Sequence, residues 1–184
     1  MALSSEVIVI GGGPSGAIAA RTLADNGIDV ILIERSLQNK KPCGGGVPSP
    51  AFSEFDIPED CIRRHVESIE IISPEGKRLS IALKGGTIAI VERQAFDALL
   101  RERAVERGAR MMEAEFIQFL EREGPVKVMV RKETTDIELS SKYVITSDGV
   151  NSRARHSLGL RPLKKVFTMS TGFSEVINDR CEFW

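Results

Sequence analysis

At 184 residues with 42% hydrophobic side chains, the chain is long enough to bury one substantial core and too apolar for general disorder. Its 25 Lys and Arg balance 26 Asp and Glu, a formal net charge of -1, so the basic excess that nucleic-acid binding requires is missing. Cys43, Cys61 and Cys181 have no spacing that suggests zinc or a disulfide framework, which fits free thiols in a reducing compartment.

Met1 to Glu6 is too short and polar for a signal peptide, and no apolar run reaches membrane-spanning length. A cytoplasmic protein is expected, with peripheral membrane contact left open. Residues 6–10, Glu-Val-Ile-Val-Ile, form a β-branched run without alternation, as in a central parallel strand buried on both faces. A Gly-rich turn follows, then a helix over 17–26 carrying Ile18, Ala19, Leu23 and Ala24 and stopped by Gly27, and a second buried strand over 29–34. From 39 to 58 the chain turns to Gly, Pro, Lys and Ser, which predicts a long irregular loop.

Alternation in 68–73 and 79–90, around the turn Pro74-Glu75-Gly76-Lys77, predicts antiparallel strands with a third in reserve. Residues 93–107 place Phe96, Leu99, Leu100 and Ala104 on one helical face and Arg101, Glu102, Glu106 and Arg107 towards water, ending at Gly108. Short strands are expected near 110–120, 126–132 and 136–139, then at 143–146, followed by a helix over 151–158. Met111 and Met112 read as strand core and edge, and the pair Arg63-Arg64 next to His65 as a solvated face, with contact to an anionic membrane as the alternative. Thr171 to Trp184 reads as strand-like and stops on two large aromatics, so the chain is expected to be a truncated piece of a longer protein.

Gly11, Gly13 and Gly16 form G-x-G-x-x-G between the first strand and helix, with Pro14 and Ser15 inside it. Gly11 allows the tight turn, Gly13 lets backbone approach a pyrophosphate, and Gly16 permits close helix–strand packing. The helix start then offers N–H groups and a positive partial charge to phosphates. Glu34, at the end of the second strand with Arg35 after it, is placed to accept hydrogen bonds from an adenosine ribose. The alternative is a turn that uses glycines for geometry alone. His65 and His156 lack the spacing of a metal site, so no metal is expected.

This fingerprint serves NAD and FAD alike. Ser147-Asp148-Gly149, after one predicted strand and before Asn151-Ser152-Arg153, resembles the Asp-Gly motif of the flavoprotein superfamily that includes the aromatic hydroxylases, which puts Asp148 and Gly149 beside an FAD pyrophosphate. Arg93 resembles the Arg that opens a helix next to the flavin phosphates there; otherwise it pairs with Glu92 or Asp97. In Lys41-Pro42-Cys43-Gly44-Gly45-Gly46-Val47-Pro48, three glycines between prolines allow backbone to lie flat on a ring system such as an isoalloxazine. The alternative is a mobile surface loop with an incidental thiol.

KPCGGGVP at 41–48, FDIPED at 55–60, ISPEGKRL at 72–79, VERQAFDALLRERA at 91–104 and SDGVNSRAR at 147–155 together resemble the geranylgeranyl reductases of archaeal lipid and chlorophyll synthesis. The resemblance implies an α/β fold: a Rossmann-like FAD-binding domain of the aromatic-hydroxylase type, over 1–64 and 92–160, with an antiparallel β insert. Residues 65–91 and 161–184 would be strands of a truncated substrate domain. It also implies FAD-dependent reduction of isoprenoid carbon–carbon double bonds, with electrons from NADPH or ferredoxin. Cys43 would sit beside the flavin and assist catalysis, Lys40 and Lys41 could lower its pKa, and Gly44 and Gly46 would touch the ring. Two other readings stay open: an FAD monooxygenase or halogenase on the same scaffold, and a non-catalytic nucleotide-binding remnant.

Overall fold

The computed structural model describes residues 3–38, 43–161 and 180–183, the last without side chains. The β-branched opening forms β1 (Leu3–Ile10), whose last four residues are buried, followed by α1 (Pro14–Asp25) and β2 (Val30–Glu34). Next come β3 (Gly46–Pro48), α2 (Pro50–Glu54), a 3-10 turn (Glu59–Cys61), β4 (Ile62–Val66), β5 (Ser68–Ile72), β6 (Arg78–Ala82) and β7 (Ile88–Val91). The remainder is α3 (Arg93–Glu106), β8 (Arg110–Glu113), β9 (Glu115–Glu121), β10 (Val126–Lys132), β11 (Thr135–Thr146), α4 (Arg153–Ser157) and β12 (Arg180–Phe183). Two compact units emerge, one from residues 1–39 and 97–167, the other from 40–96 and 168–184.

The first unit is a six-stranded sheet in the order β8-β2-β1-β11-β10-β9. Strands β8, β2, β1 and β11 run parallel, with β8 at one edge, while β10 and β9 add on antiparallel at the other. Alternate residues of β1 and β2 feed opposite faces: Val7, Val9, Val30 and Leu32 pack with Ala20 and Ala104, and Ile8, Ile10, Ile31 and Ile33 pack with Phe116, Val128 and Leu139. Burial on both faces is why these strands read as continuous apolar runs, each such side chain contributing roughly 1.5–3 kcal/mol. On the second face, Phe116 and Phe119 meet nearly edge-on at 5.1 Å.

In the second unit β7 lies between β3 and β4, while β5 pairs antiparallel with β6 and parallel with β12. Phe52 of α2 meets Phe96 of α3 with ring centroids 6.2 Å apart. The hairpin turn between β5 and β6 closes by Ser73 N–H donating to Lys77 O at 2.8 Å, as the Pro-Glu-Gly-Lys signal predicts. Inside this sheet Glu70 is buried and accepts from Arg78 at 2.6 Å.

Several expectations are corrected. The stretch 39–58 is not irregular throughout: Gly46–Pro48 pairs with β7, and Pro50 at the first helical turn starts α2. Helix α1 begins at Pro14 rather than Ala17, for the same reason. The separate strands at 136–139 and 143–146 are one strand, β11, because β10 holds its first half antiparallel while β1 holds its second half parallel. The helix expected over 151–158 is the single turn α4. Most of the strand-like tail from Thr171 lies outside the described residues. Among the described residues no helix is long and apolar enough to cross a membrane.

Candidate cofactor site

The carboxyl ends of β2, β1 and β11 converge on one turn. Gly11 N–H donates to Ile33 O at 2.8 Å, and Ser147 N–H donates to Ile10 O at 2.7 Å. Gly11 has φ +101°, and a Cβ there would strike the Ser147 carbonyl; a Cβ on Gly16 would strike the Gly11 carbonyl. Glycine is therefore demanded at both positions by backbone approach, and the fingerprint loop abuts the Ser147-Asp148-Gly149 turn far along the chain. Pro14 occupies the first turn of α1, with Gly13 as its cap residue and Ala17 N–H bonded to Gly13 O at 2.9 Å. Proline carries no N–H, so the first-turn N–H donors of α1 begin with Ser15 and Gly16.

Glu34 is engaged by the backbone on both of its oxygens. Its Oε2 accepts the Gly12 N–H at 2.7 Å and its Oε1 accepts the Ser36 N–H at 3.2 Å, so the carboxylate braces the loop against the chain leaving β2. Each oxygen retains a lone pair for a further donor such as a ribose hydroxyl. Arg35 is exposed beside it. Asp148 is likewise committed: its Oδ2 accepts the Ala154 N–H at 3.0 Å, while Ser152 Oγ accepts the Arg155 N–H at 2.8 Å, and the two carry the first turn of α4. Gly149 is exposed with φ +80°.

Cys43, Gly44, Gly46 and Arg93 belong to the second unit. Cys43 is exposed. Gly45, with φ +76°, accepts the Val91 N–H at 3.0 Å, and a Cβ there would strike the Val91 carbonyl. Gly46 pairs with Ile90 in β3, where a Cβ would come 3.0 Å from Ile88 Cγ2. Around Gly44 a Cβ would meet nothing within 4 Å, so no contact among the described residues requires glycine there. Arg93 is half-buried at the start of α3, a helix capped by Glu92, which accepts the Gln94 and Ala95 N–H groups at 3.1 and 2.7 Å. Lys40, Lys41 and Pro42 lie outside the described residues.

The pattern missed Gly12, Ser36, Ser152 and above all Arg101. Periodicity sends Arg101 to water; in the structure its guanidinium donates to Gly12 O and Leu37 O, both at 3.2 Å. No spacing rule signals a side chain that returns to a carbonyl so distant in sequence. Of the other titratable candidates, His65 Nδ1 lies 2.8 Å from Thr87 Oγ1, and Cys61 Sγ donates to Pro58 O at 3.0 Å, its pKa raised by burial. Among the described residues no three His, Cys, Asp or Glu converge as metal ligands.

A glycine turn without room for side chains, a helix start and a carboxylate at the next strand end form a donor and acceptor set that fits a dinucleotide. Residues 5–159 match the family described as pyridine nucleotide-disulphide oxidoreductase. The chain belongs to that family. It is 38% identical over 170 residues to the chloroplastic geranylgeranyl diphosphate reductase of Arabidopsis thaliana, covering 83% of this chain and 36% of the relative. It is 32% identical to the digeranylgeranylglycerophospholipid reductase of Methanocaldococcus jannaschii, covering 87% and 42%. The chain therefore spans less than half the length of these relatives.

Among solved structures, a geranylgeranyl bacteriochlorophyll reductase-like protein from Thermoplasma acidophilum superposes with a TM-score of 0.77 at 26% identity, covering 88% of this chain and 43% of that one. The myxobacterial chondrochloren halogenase, an FAD-dependent halogenase, reaches 0.72 at 19% identity over 84% and 39%, a likeness of fold alone. The expected α/β, Rossmann-like fold is thus the observed one, and it is shared with FAD-dependent enzymes.

Proposed function

We propose that this oxidoreductase chain is the FAD-binding part of a reductase that saturates carbon–carbon double bonds in isoprenoid chains of the geranylgeranyl type. The observation that carries the cofactor half is the backbone abutment of the fingerprint turn on the Asp148 turn at the ends of β1 and β11. The substrate half rests on the similarity to reductases of geranylgeranyl compounds.

In this reading the N–H groups of Gly13, Ser15 and Gly16 hold the diphosphate, with the positive end of α1 behind them. Pro14 sets the helix start, Glu34 accepts from the adenosine ribose, and Arg35 lies alongside. Asp148 and Gly149 present backbone near the same phosphates, and Arg93 adds a cation to them. Gly44 and Gly46 offer main chain to the flavin ring, which the absence of any described residue against a Gly44 side chain favours. Bound FAD would supply hydride to one carbon of the alkene, with its electrons drawn in turn from NADPH or ferredoxin. The exposed Cys43 thiol would deliver or relay the proton to the other carbon. Residues 1–64 and 92–160 serve the cofactor and 65–91 and 161–184 the substrate, the protein being cytoplasmic with peripheral contact where its lipid substrate lies.

The visible spectrum of the purified chain tests the cofactor: flavin bands released on denaturation are expected, and a colourless protein that takes up no added FAD would leave a non-catalytic remnant. Mixing the reduced parent protein with oxygen tests the chemistry. Rapid reoxidation without a persistent oxygen adduct is expected, whereas an accumulating adduct would favour a monooxygenase or halogenase.

A further inference from the structure

We propose that Arg101 is a positioning residue for the adenosine-diphosphate half of the cofactor. It acts by orienting the Gly12 peptide and the segment that leaves β2, and the proposal rests on the dinucleotide reading above. The side chain stands one residue beyond Leu100 on α3, beside the buried stripe of Phe96, Leu100 and Ala104, and it is half-buried rather than solvated. One terminal nitrogen donates to Gly12 O and the other to Leu37 O, each at 3.2 Å. These carbonyls belong to the two backbone segments that flank Glu34 in space, the phosphate loop and the chain after β2. A guanidinium, with its rigid fork, can span both; a lysine ammonium is a single point and cannot do so with the same geometry.

Gly12 is gripped from two sides. Its N–H is donated to Glu34 Oε2 at 2.7 Å, and its carbonyl is held by Arg101. Its own missing side chain completes the fit, since a Cβ there would lie 2.8 Å from Glu34 Cβ and 3.0 Å from Arg101 Cδ. In a trans peptide the carbonyl and the following N–H point in opposite directions. Fixing the Gly12 carbonyl towards Arg101 therefore aims the Gly13 N–H away from Arg101, without the Gly12 N–H, which Glu34 already uses. Backbone packing of Gly11 and Gly16 shapes the turn, and Arg101 sets the direction of one donor within it.

The test is calorimetric titration of the full chain and its R101M and R101K variants with ADP and with FAD, with the melting temperature of the ligand-free chain followed in parallel. R101M keeps the packing against Gly12 and loses both donors; it is expected to weaken ADP and FAD by the same factor, about tenfold. R101K is expected to recover part of that loss, because one carbonyl can still be held, while the ligand-free melting temperatures do not track the affinities. Unchanged ADP binding in R101M, a loss for FAD without one for ADP, or affinities that merely follow the melting temperatures would overturn the proposal. A wild-type chain that binds neither ADP nor FAD would overturn the dinucleotide reading and this proposal together.

Discussion

Two glycine-rich segments in this chain look alike on paper and differ in what they ask of glycine. Between Gly11 and Gly16 the demand comes from the fold: side chains at either end would collide with the carbonyls of Ser147 and Gly11. Between Gly44 and Gly46 the demand is uneven, since Gly45 is held against Val91 while no described residue lies where a Gly44 side chain would go. Among the described residues nothing packs where a Gly44 side chain would go, so its smallness is not a demand of those contacts. The first segment thus reads as scaffold throughout, and the second as scaffold at Gly45 and Gly46, with Gly44 the position proposed to meet the flavin.

The sharpest way to break this comparison is Gly16→Ala. The obstructing atom is backbone and cannot swing aside, so urea unfolding is expected to show a loss of about 3 kcal/mol or more. A loss under about 1 kcal/mol would mean that the turn relaxes and the scaffold reading fails. Glu34→Gln comes next: a carboxamide can accept from only one of the Gly12 and Ser36 N–H groups and turns a donor towards the other. Ligand-free stability should fall by about 1–3 kcal/mol in the same measurement, and FAD affinity should fall with it.

Gly44→Ala sharpens the contrast from the other side. Stability is expected to move by less than about 0.5 kcal/mol, whereas flavin affinity by fluorescence titration should drop about tenfold if main chain lies against the ring. Equal affinity in this variant would return the segment to a plain surface loop. The smallest effect belongs to a control earlier along β1, the exposed pair of Glu6 and Lys142 at 2.8 Å. The hydrogen bond from Lys142 lowers the Glu6 pKa and raises that of Lys142. The Glu6 contribution is therefore present above the ordinary glutamate value and lost as pH falls through the lowered one. The Lys142 contribution is present below the ordinary lysine value and lost as pH rises through the raised one. Melting temperature against pH for Glu6→Gln should differ from wild type by little, and high salt should erase the difference.

How much was legible depended on the range of the interaction responsible. Val7 to Ile10, the fingerprint glycines and the apolar stripe of α3 announce themselves because strand burial, a tight turn and helical periodicity are written within a few residues. The union of 135–146 into one strand was hidden, because β10 and β1 share it from opposite sides. The order within 46–54 was hidden too, since glycine and proline composition says nothing of a β7 that lies some forty residues later.

The amino-acid order by itself settled that a glycine turn links a buried parallel strand to a helix and that an acid follows at the next strand end. Only the tertiary structure decided that Glu34 braces Gly12, that Asp148 carries the first turn of α4, and that Arg101 leaves the solvent for two carbonyls. The reason is physical: local sequence dictates which conformation a segment prefers, but the partner of a polar group is chosen by whichever distant atoms the fold brings within hydrogen-bond reach.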